Sequence, residues 1–416
     1  MTELFFLIVL FVIIVEVNFD LGFVFAIIIM LCVILDCIFA KHNFVILNYA
    51  NQTKFYKNYI LILVLQIIMT LIALPFEYSE SMLYGIKTFF ANSILLLIVN
   101  GYFLFYLKIK RFFECFRILG VCIACLGAME TIVQRNILPL QIGNYNINSF
   151  GTEYFRTVLF FGQPTIAAIF FVIVITTLLY IPLKNKSFQI FSLLILFYAL
   201  YGTRTRIMWL CVILILFLYW SDQIFNKKIV IDKKKIICLG LIAITLIVLI
   251  IYFAARLINI YKDLEQYILL MFDQNNNYGS RIVRMTNIYN AVDYWKKNPI
   301  FFLIGQGVGY DKVFSINNGV KLDYDKIWNS GVDNQYITLV LQAGIFSALF
   351  FIKLIIESIK KFFKTCSREI KIATLYIVII GIASISMDSF GWRMCVFFLQ
   401  FGILIINRGM KEKWEE

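Results

Sequence analysis

Two pairs of arginines have the residue type and the spacing to hold an anion. Arg204 and Arg206 lie in the turn 202–206 between two apolar runs, and Arg281 and Arg284 stand three residues apart, on one face of a predicted helix. A guanidinium is permanently charged and matches phosphate oxygens in a bidentate fork. The alternatives are that the first pair reaches lipid head groups and that the second stands on a solvated helix. Our hypothesis is that both pairs converge on one anion.

A carboxylate and an amide stand side by side where a later apolar run begins. Asp333 and Asn334 are adjacent there, and Tyr336 follows two residues on. Together they could hydrogen-bond a sugar hydroxyl, whereas an acid at this position could equally cap the N-terminus of the helix. Gln163, near the start of another apolar run, could line the same space or be an ordinary polar residue of the span. Both interpretations stay open for each residue.

Metal and nucleotide chemistry lack their usual residues. His42 is the only histidine and lies in a predicted cytoplasmic loop, which excludes histidine catalysis outside the membrane and a histidine-based zinc site. Cys122 and Cys125 lie within an apolar helix and are interpreted as packing residues. The glycines of 305–309 predict a tight turn, but without a βαβ context they are a weak signal for a phosphate loop. We therefore predict no metal and no cofactor.

The rest of the chain has the composition of a membrane protein. Hydrophobic residues make up 61% of the 416 positions, charged residues 15%, and the mean hydropathy is +0.84, whereas soluble domains have about 25% charged residues. Runs of roughly 20 apolar residues predict transmembrane helices, because backbone groups in lipid must be satisfied internally. We expect an all-α bundle that forms a single domain, residues 1–416. Its predicted spans, about twelve, are 4–19, 21–40, 58–76, 86–107, 112–133, 157–181, 188–203, 204–221, 235–258, 333–357, 370–388 and 391–407.

Basic residues follow the positive-inside pattern. The outer loops 77–85 and 389–391 carry no Lys or Arg, whereas the loops predicted to be cytoplasmic are rich in them, near 41–57, 108–111, 184–186, 227–235, 360–371 and 408–413. This distribution predicts that both termini are cytoplasmic, that the first apolar run is a retained helix, and that the polar stretch 258–332 before the tenth span is a large outer loop. The net charge of +13 is explained by these loops, and no basic face predicts nucleic-acid binding.

The order of these features resembles the O-antigen polymerase and ligase family. The resemblance covers roughly 157–357, and the segments that carry it are the turn 202–206 before an apolar helix, Arg281 ahead of 291–295, Asn298-Pro299 with the glycine turn 305–309, and 333–336 leading into 343–346. Ligases of this family usually carry histidine where this chain has Asp333. That departure favours a repeat-unit polymerase over a ligase.

The resemblance implies a GT-C-like membrane glycosyltransferase. Such an enzyme polymerises undecaprenyl-diphosphate-linked oligosaccharide repeat units into capsular polysaccharide, exopolysaccharide or O-antigen on the outer face of the cytoplasmic membrane, without a nucleotide sugar. Its expected partners are this lipid-linked oligosaccharide, membrane lipid, a chain-length regulator and a flippase.

The resemblance also suggests roles for single residues. Arg206 and Arg281 would be catalytic because fixed positive charge stabilises the leaving diphosphate without a metal. Asp333 would orient the acceptor hydroxyl and take its proton late in the reaction. If Asp333 is only a cap, the base is to be sought at Glu153 or Asp388. The residues expected to bind substrate are Arg204, Arg284, Asn334, Tyr336 and Gln163.

Two other functions stay open. A ligase-type transferase would use the same donor and a different acceptor. A flippase or transporter of lipid-linked oligosaccharide, a different class of protein, would also have many spans and internal arginines. It should have charged residues along a mid-membrane path and inverted repeats, and it gains nothing from a long outer loop.

Overall fold

The computed structural model describes residues 54–73, 80–106, 108–135, 137, 155–226, 280–318 and 332–415. Throughout these residues the regular structure is helical and no β-strand occurs, which confirms the all-helical fold class. Several predictions fall outside the described residues: the spans 4–19, 21–40 and 235–258, the single histidine His42, the alternative base Glu153, and most of the loop 258–332.

The helices follow one another with short connections wherever the chain is described. Their bounds are α1 Lys54–Ala73, α2 Glu80–Phe89, a π-helical turn Phe90–Leu95, α3 Leu96–Tyr106, α4 Ile109–Val133, α5 Pro164–Tyr180, α6 Lys186–Thr203, α7 Arg206–Asn226, α8 Ser280–Lys297, α9 Pro299–Ile304, α10 Tyr310–Asn318, α11 Gln335–Lys364, α12 Arg368–Ala383, a 3₁₀ turn Ser389–Gly391 and α13 Arg393–Glu415.

Six described helical segments are long and apolar enough to cross a membrane. They are Lys54–Ala73, Met82–Tyr102, Ile109–Val133, Lys186–Thr203, Arg206–Ile224 and Gln335–Lys364. Each overlaps a span predicted from the sequence, so the chain is a multi-pass membrane protein. The total of twelve spans and the GT-C-like arrangement stay predictions.

Two of the described helices begin at a proline. The predicted span 157–181 becomes the shorter apolar helix α5, which begins only at Pro164 after the turns of 155–163. Pro299 likewise starts α9, directly after α8 ends at Lys297. Proline is well tolerated in the first turn of a helix because its missing N–H would have no partner there. The helix predicted to carry Arg281 and Arg284 is confirmed as α8.

The described chain divides into two compact units. The first comprises residues 1–216 and 284–416, and the second comprises residues 217–283. Among its described residues the second unit holds the end of α7 and the first turn of α8, and Tyr219 and Trp220 of α7 meet there edge to face with ring centroids 6.2 Å apart. Whether the chain is a single domain stays a prediction.

In the first unit, two helix groups pack on each other through α5 and α12. One group is α4, α5 and α6, and the other contains α1, α11, α12 and α13, with α3 against α13. Buried aromatic rings join the groups: Phe116 of α4 meets Phe170 of α5 (5.9 Å between ring centroids) and Phe398 of α13 (5.6 Å). Tyr376 of α12 completes this core against Phe398 at 5.4 Å. Each such pair contributes about 0.5–1.5 kcal/mol beyond the area it buries.

Segments that carry predicted cytoplasmic loops meet at one end of the first unit, which we call the basic end. Arg117 Nη1 donates to the carbonyl of Ile181 at 2.8 Å, and Arg408 donates to the carbonyl of Leu104. Asn58 at the start of α1 binds Glu357 of α11 there (2.9 Å). This gathering agrees with the positive-inside pattern, while the orientation in the membrane stays a prediction.

The predicted outer segments gather at the opposite end, called here the loop end. Tyr180, at the end of α5, packs on Phe362 near the end of α11 (6.2 Å between ring centroids). The beginnings of α5 and α11 and the end of α12 therefore point away from the basic end. The segments 155–163, 202–206, 305–312 and 384–392 lie with them, and they contain the candidate site residues.

Candidate functional site

The turn 202–206, called here the arginine turn, ends α6 in an unusual conformation for its residues. Arg204 is the C-cap residue and adopts the left-handed region, with φ 52°. Glycine is the usual residue there because a Cβ is disfavoured. Both Arg204 and Arg206 are exposed at the loop end. The turn thus places the two predicted guanidiniums at the surface.

The segment 155–159 lies beside this turn and is hydrogen-bonded to it. Thr157 N donates to the carbonyl of Gly202 (2.9 Å), and Arg156 Nε donates to that of Thr203 (3.0 Å). A Cβ on Gly202 would lie 2.0 Å from the hydroxyl of Thr131 and 2.5 Å from that of Thr157. Only glycine allows this approach, so Gly202 of the turn has a packing role.

Glu130, near the end of α4, fixes the same segment. Its Oε2 accepts hydrogen bonds from the backbone N–H groups of Val158 (3.0 Å) and Leu159 (2.9 Å). Leu159 has a positive φ of 53°, which an L-residue adopts only where its surroundings hold it. Glu130, which the sequence left without a role, therefore anchors the backbone of the outer segment.

Arg156 is a third arginine at this turn that sequence reasoning missed. Its Nη2 also lies 3.4 Å from the hydroxyl of Thr205. The available signal was an arginine in a segment predicted to be outside, where the positive-inside rule disfavours it.

The glycine turn 305–309 docks on a break in helix α11. Ala343 and Gly344 leave the helical conformation, and Gly344 has φ 75°. The break frees carbonyls of the preceding turn, and two N–H groups of the glycine turn take them: Gln306 N to Leu341 O and Gly307 N to Gln342 O, both 2.8 Å. The glycines therefore serve close backbone packing, which gives a structural reason for them other than a phosphate loop.

A buried polar chain continues from this dock. Gln66 Nε2 of α1 donates to Gln342 Oε1 of α11 (2.8 Å), and Gln342 Nε2 donates to Asp311 Oδ1 of α10 (2.6 Å). Thr70 of α1 accepts from Val308 N at 2.9 Å. Asp311 is 1% exposed, and the Gln342 amide, itself bonded to Gln66, holds this carboxylate, which the sequence did not single out.

Asn334, and not Asp333, caps helix α11. The Asn334 Oδ1 accepts from the N–H groups of Tyr336 (3.0 Å) and Ile337 (3.2 Å), and its Nδ2 donates to Ile385 O (3.0 Å). The alternative that Asp333 is the cap is therefore wrong. Asn334 already uses its side chain within the protein, and the hydroxyl of Tyr336 donates to Gly381 O (2.8 Å).

The segment 384–391 is bound to the start of α11. Gln335 N donates to the carbonyls of Ser384 (2.9 Å) and Met387 (3.1 Å), and Gln335 Oε1 accepts from Phe390 N (2.7 Å). Asp388 therefore stands beside Asp333, although 55 positions of sequence separate them. Within the π-helical turn, Asn92 donates to Gly391 O (3.0 Å) and accepts from Arg393 Nε (2.8 Å).

Asp311, Asp333 and Lys312 each lie within electrostatic reach of Asp388, and we call these four residues the carboxylate cluster. Burial raises the pKa of Asp388 to about 7, and the charges of Asp311 and Asp333 act in the same direction. Lys312, which lies over the ring of Tyr84 at 5.6 Å, and the N–H of Gly391 oppose the rise. A carboxylate poised near neutral pH can take or give a proton.

Three predicted site residues stand apart from this geometry. Arg281 belongs to the second unit, and Arg284 begins the first unit's part of α8, but the side chains of both lie outside the described residues. Gln163 immediately precedes α5, and its Oε1 is buried with no hydrogen-bond partner among the described residues. Across those residues no group of three or more His, Cys, Asp or Glu is arranged to hold a metal ion.

Comparison with known proteins bears on the middle of the chain. A family model described as O-antigen ligase matches residues 191–352. No curated protein and no solved structure matches the chain. The matched range contains the arginine turn, the glycine turn and Asp333, whereas Arg156 and Asp388 lie outside it. Residues 191–352 are therefore similar to the O-antigen ligase family, in agreement with the resemblance noted in the sequence, and they lie within a multi-pass membrane protein.

Proposed function

We propose that the protein polymerises undecaprenyl-diphosphate-linked oligosaccharide repeat units on the outer face of the cytoplasmic membrane. The observation that carries the proposal is that two exposed arginines and a carboxylate cluster both lie at the loop end. A diphosphate leaving group needs fixed positive charge, and an acceptor hydroxyl needs a base. The loop end offers both.

In the proposed reaction, the acceptor hydroxyl oxygen attacks the anomeric carbon of the donor sugar. The bond from that carbon to the lipid diphosphate breaks, and the diphosphate leaves with the electron pair. Arg204 and Arg206 neutralise the developing charge, and the role expected from the sequence for Arg281 and Arg284 is the same. Guanidiniums suit this task because they stay charged and bind phosphate oxygens in pairs.

The hydroxyl proton passes to the carboxylate cluster. We assign Asp333 as the acceptor-side carboxylate, because the capping role at the start of α11 falls to the neighbouring Asn334. Asp388, with its pKa raised to about 7, is the second carboxylate of the site and a natural resting place for the proton. Gln163 and Tyr336 would line the sugar-binding space.

A ligase-type transfer is the second candidate, because the family model that matches is described as an O-antigen ligase. The two functions share the donor and differ in the acceptor: another repeat unit for the polymerase, a distinct glycan for the ligase. Asp333, where ligases of the family usually carry histidine, favours the polymerase.

Polysaccharide length in cells that lack the gene tests the proposal. A polymerase predicts single repeat units and loss of the ladder of longer chains on a gel. A ligase predicts that lipid-linked polymer is still made but is no longer transferred. Loss of outward-exposed lipid-linked units would instead identify a flippase and refute both.

The proposed sidedness has its own test. Cysteines introduced at Asn276 and Lys413 are exposed to an impermeant thiol reagent on intact cells, after controls for the native cysteines. We expect labelling at position 276 and none at 413, because the loop 258–332 is proposed to be outside and the tail inside. The reverse pattern would overturn the outer-face site.

A further inference from the structure

The C-terminus of helix α6 has a donor for each of its last four carbonyls, and two of the donors come from another segment. Such carbonyls have no partner inside the helix. Three bonds are local: from Thr203 Oγ1 to Leu200 O (2.7 Å), from Arg204 N to Tyr201 O (3.0 Å) and from Thr205 Oγ1 to Thr203 O (3.3 Å). The other two are Thr157 N to Gly202 O (2.9 Å) and Arg156 Nε to Thr203 O (3.0 Å).

We infer that Arg156 is a positioning residue for the two exposed arginines. Its guanidinium caps α6 from outside the helix and holds the backbone conformation of the turn that carries Arg204 and Arg206. The inference rests on the proposed function, since the ligand of those two arginines is taken to be a lipid diphosphate.

The two contacts of Arg156 lie on either side of the strained residue. One is the carbonyl of Thr203, and the other is the hydroxyl of Thr205, at 3.4 Å. Arg204 lies between them in the left-handed region, which a residue with a Cβ keeps only when its neighbours hold it there. The planar fork of a guanidinium can bridge the two positions, whereas the ammonium of lysine has no such fork.

The charge of Arg156 also has a local reason to stay at the turn. A cation beside the last carbonyls of a helix is stabilised by the helix dipole. Arg156 is half-buried, whereas Arg204 and Arg206 are exposed. Its bonds to the turn and its lower exposure indicate that Arg156 acts through its neighbours and does not itself form the anion clamp.

The experiment measures binding of farnesyl diphosphate, a short isoprenoid diphosphate, to the purified full-length protein in detergent. We expect Arg156→Gln to weaken binding by roughly tenfold or more. This is the fold-change that corresponds to the loss of one charge-assisted hydrogen bond, the one that positions the turn. Arg156→Lys should restore little of this loss. The matched control is Arg135→Gln, which removes an exposed arginine at the loop end of α4 and should bind as the wild type does.

Two further readouts separate positioning from general stabilisation. In a polymerisation assay, Arg156→Lys should raise the KM for the lipid-linked donor and leave that for the acceptor unchanged. Combined with Arg204→Gln, the Arg156→Gln change should cost less than it does alone, because both act on one turn. Additive losses would overturn the inference.

The outcomes distinguish this inference from the proposed function. A wild-type protein that binds no farnesyl diphosphate would refute the proposed function and the inference together. Wild-type binding that is unchanged in Arg156→Gln refutes the inference alone. Equal losses in Arg156→Gln and Arg135→Gln also refute it, since they would reflect net charge. If Arg156→Gln fails to fold, normal binding by Arg156→Lys refutes the inference in its place.

Discussion

Arg204 and Arg206 extend from the surface of the loop end, whereas Asp311, in the carboxylate cluster at the same end, is 1% exposed. At the arginine turn, hydrogen bonds fix the backbone, and the side chains of Arg204 and Arg206 are exposed. In the carboxylate cluster Asp311 is buried and accepts a hydrogen bond from Gln342 of α11, and the charges of Asp311 and Asp333 help to raise the pKa of Asp388.

The difference follows from what each kind of group can do. Guanidinium keeps its charge at any physiological pH, so only its position can be adjusted, and hydrogen bonds to the backbone adjust it. The proton affinity of a carboxylate responds to burial and to neighbouring charge, so placing carboxylates together changes their chemistry. The arginine turn therefore sets the position of positive charge, whereas the carboxylate cluster sets the pH at which a carboxylate binds a proton.

Substitution of Asp333 is expected to have the largest effect. Asp333→Asn should slow glycosidic bond formation by roughly 10²–10⁴, the usual contribution of a general base, and should not disturb folding because Asn334 supplies the cap. The assay uses purified protein and a lipid-linked repeat unit. Asp293→Asn, which removes an exposed carboxylate paired with Lys297 on α8, is the control and should keep normal turnover. Normal turnover in Asp333→Asn would contradict the role.

At the arginine turn, substitution of arginine by lysine keeps the positive charge but removes the bidentate geometry of the guanidinium. Arg206→Lys should lower kcat/KM for the lipid-linked donor by roughly 10- to 100-fold, because a charge-assisted hydrogen bond contributes about 1.5–3 kcal/mol. The control is Arg135→Lys, since Arg135 is exposed at the end of α4 and outside the turn. Wild-type polymer from Arg206→Lys at equal protein levels would argue against a clamp.

The pH dependence should separate the two regions. If Asp388 accepts the proton, kcat/KM should rise with pH to a plateau above about 7, the pKa to which burial raises that of Asp388. Asp388→Asn should remove this limb. Asp311→Asn should move it to lower pH, because a like charge is lost, and Lys312→Met to higher pH. Asp333 and the Cys395 thiol also face Asp388 and stay unchanged in these variants.

Protein stability should respond to the same proton. The folded protein holds the proton of Asp388 between roughly pH 4 and pH 7, where the unfolded chain has lost it, so the contribution of Asp388 to stability falls as pH rises through that window. Thermal unfolding in detergent measures this, with Asp388→Asn as the comparison. Arg206→Lys should leave the pH dependence of thermal stability as in the wild type. A changed pH dependence in this variant would contradict separate roles for the arginine turn and the carboxylate cluster.

The smallest expected effect tests which residue is the cap. Asn334→Ala should destabilise the protein by about 1 kcal/mol, the usual loss for a capping side chain, whereas Asp333→Ala should destabilise it less, because Asp333 is not the cap. The reverse order would return Asp333 to a structural role and move the proposed base to Asp388.

The sequence by itself determined the class of the protein and the positions of most described helices. Long apolar runs can satisfy their backbone in lipid only as helices, so the spans at 188–203 and 333–357 could be identified from composition alone. The order of the arginine turn, the glycine turn and Asp333 was enough to indicate the family that residues 191–352 match. Each of these features is local in the chain.

Only the tertiary structure decided how those features work. Arg156 meets Thr203 across 47 positions, Gln342 meets Asp311 across 31, and Asp388 stands beside Asp333 because its segment is bound to the start of α11. A pattern of residue types does not record such distant pairings. The assignment of the cap to Asn334 was equally hidden, because Asp and Asn are both good caps and only the backbone geometry distinguishes them.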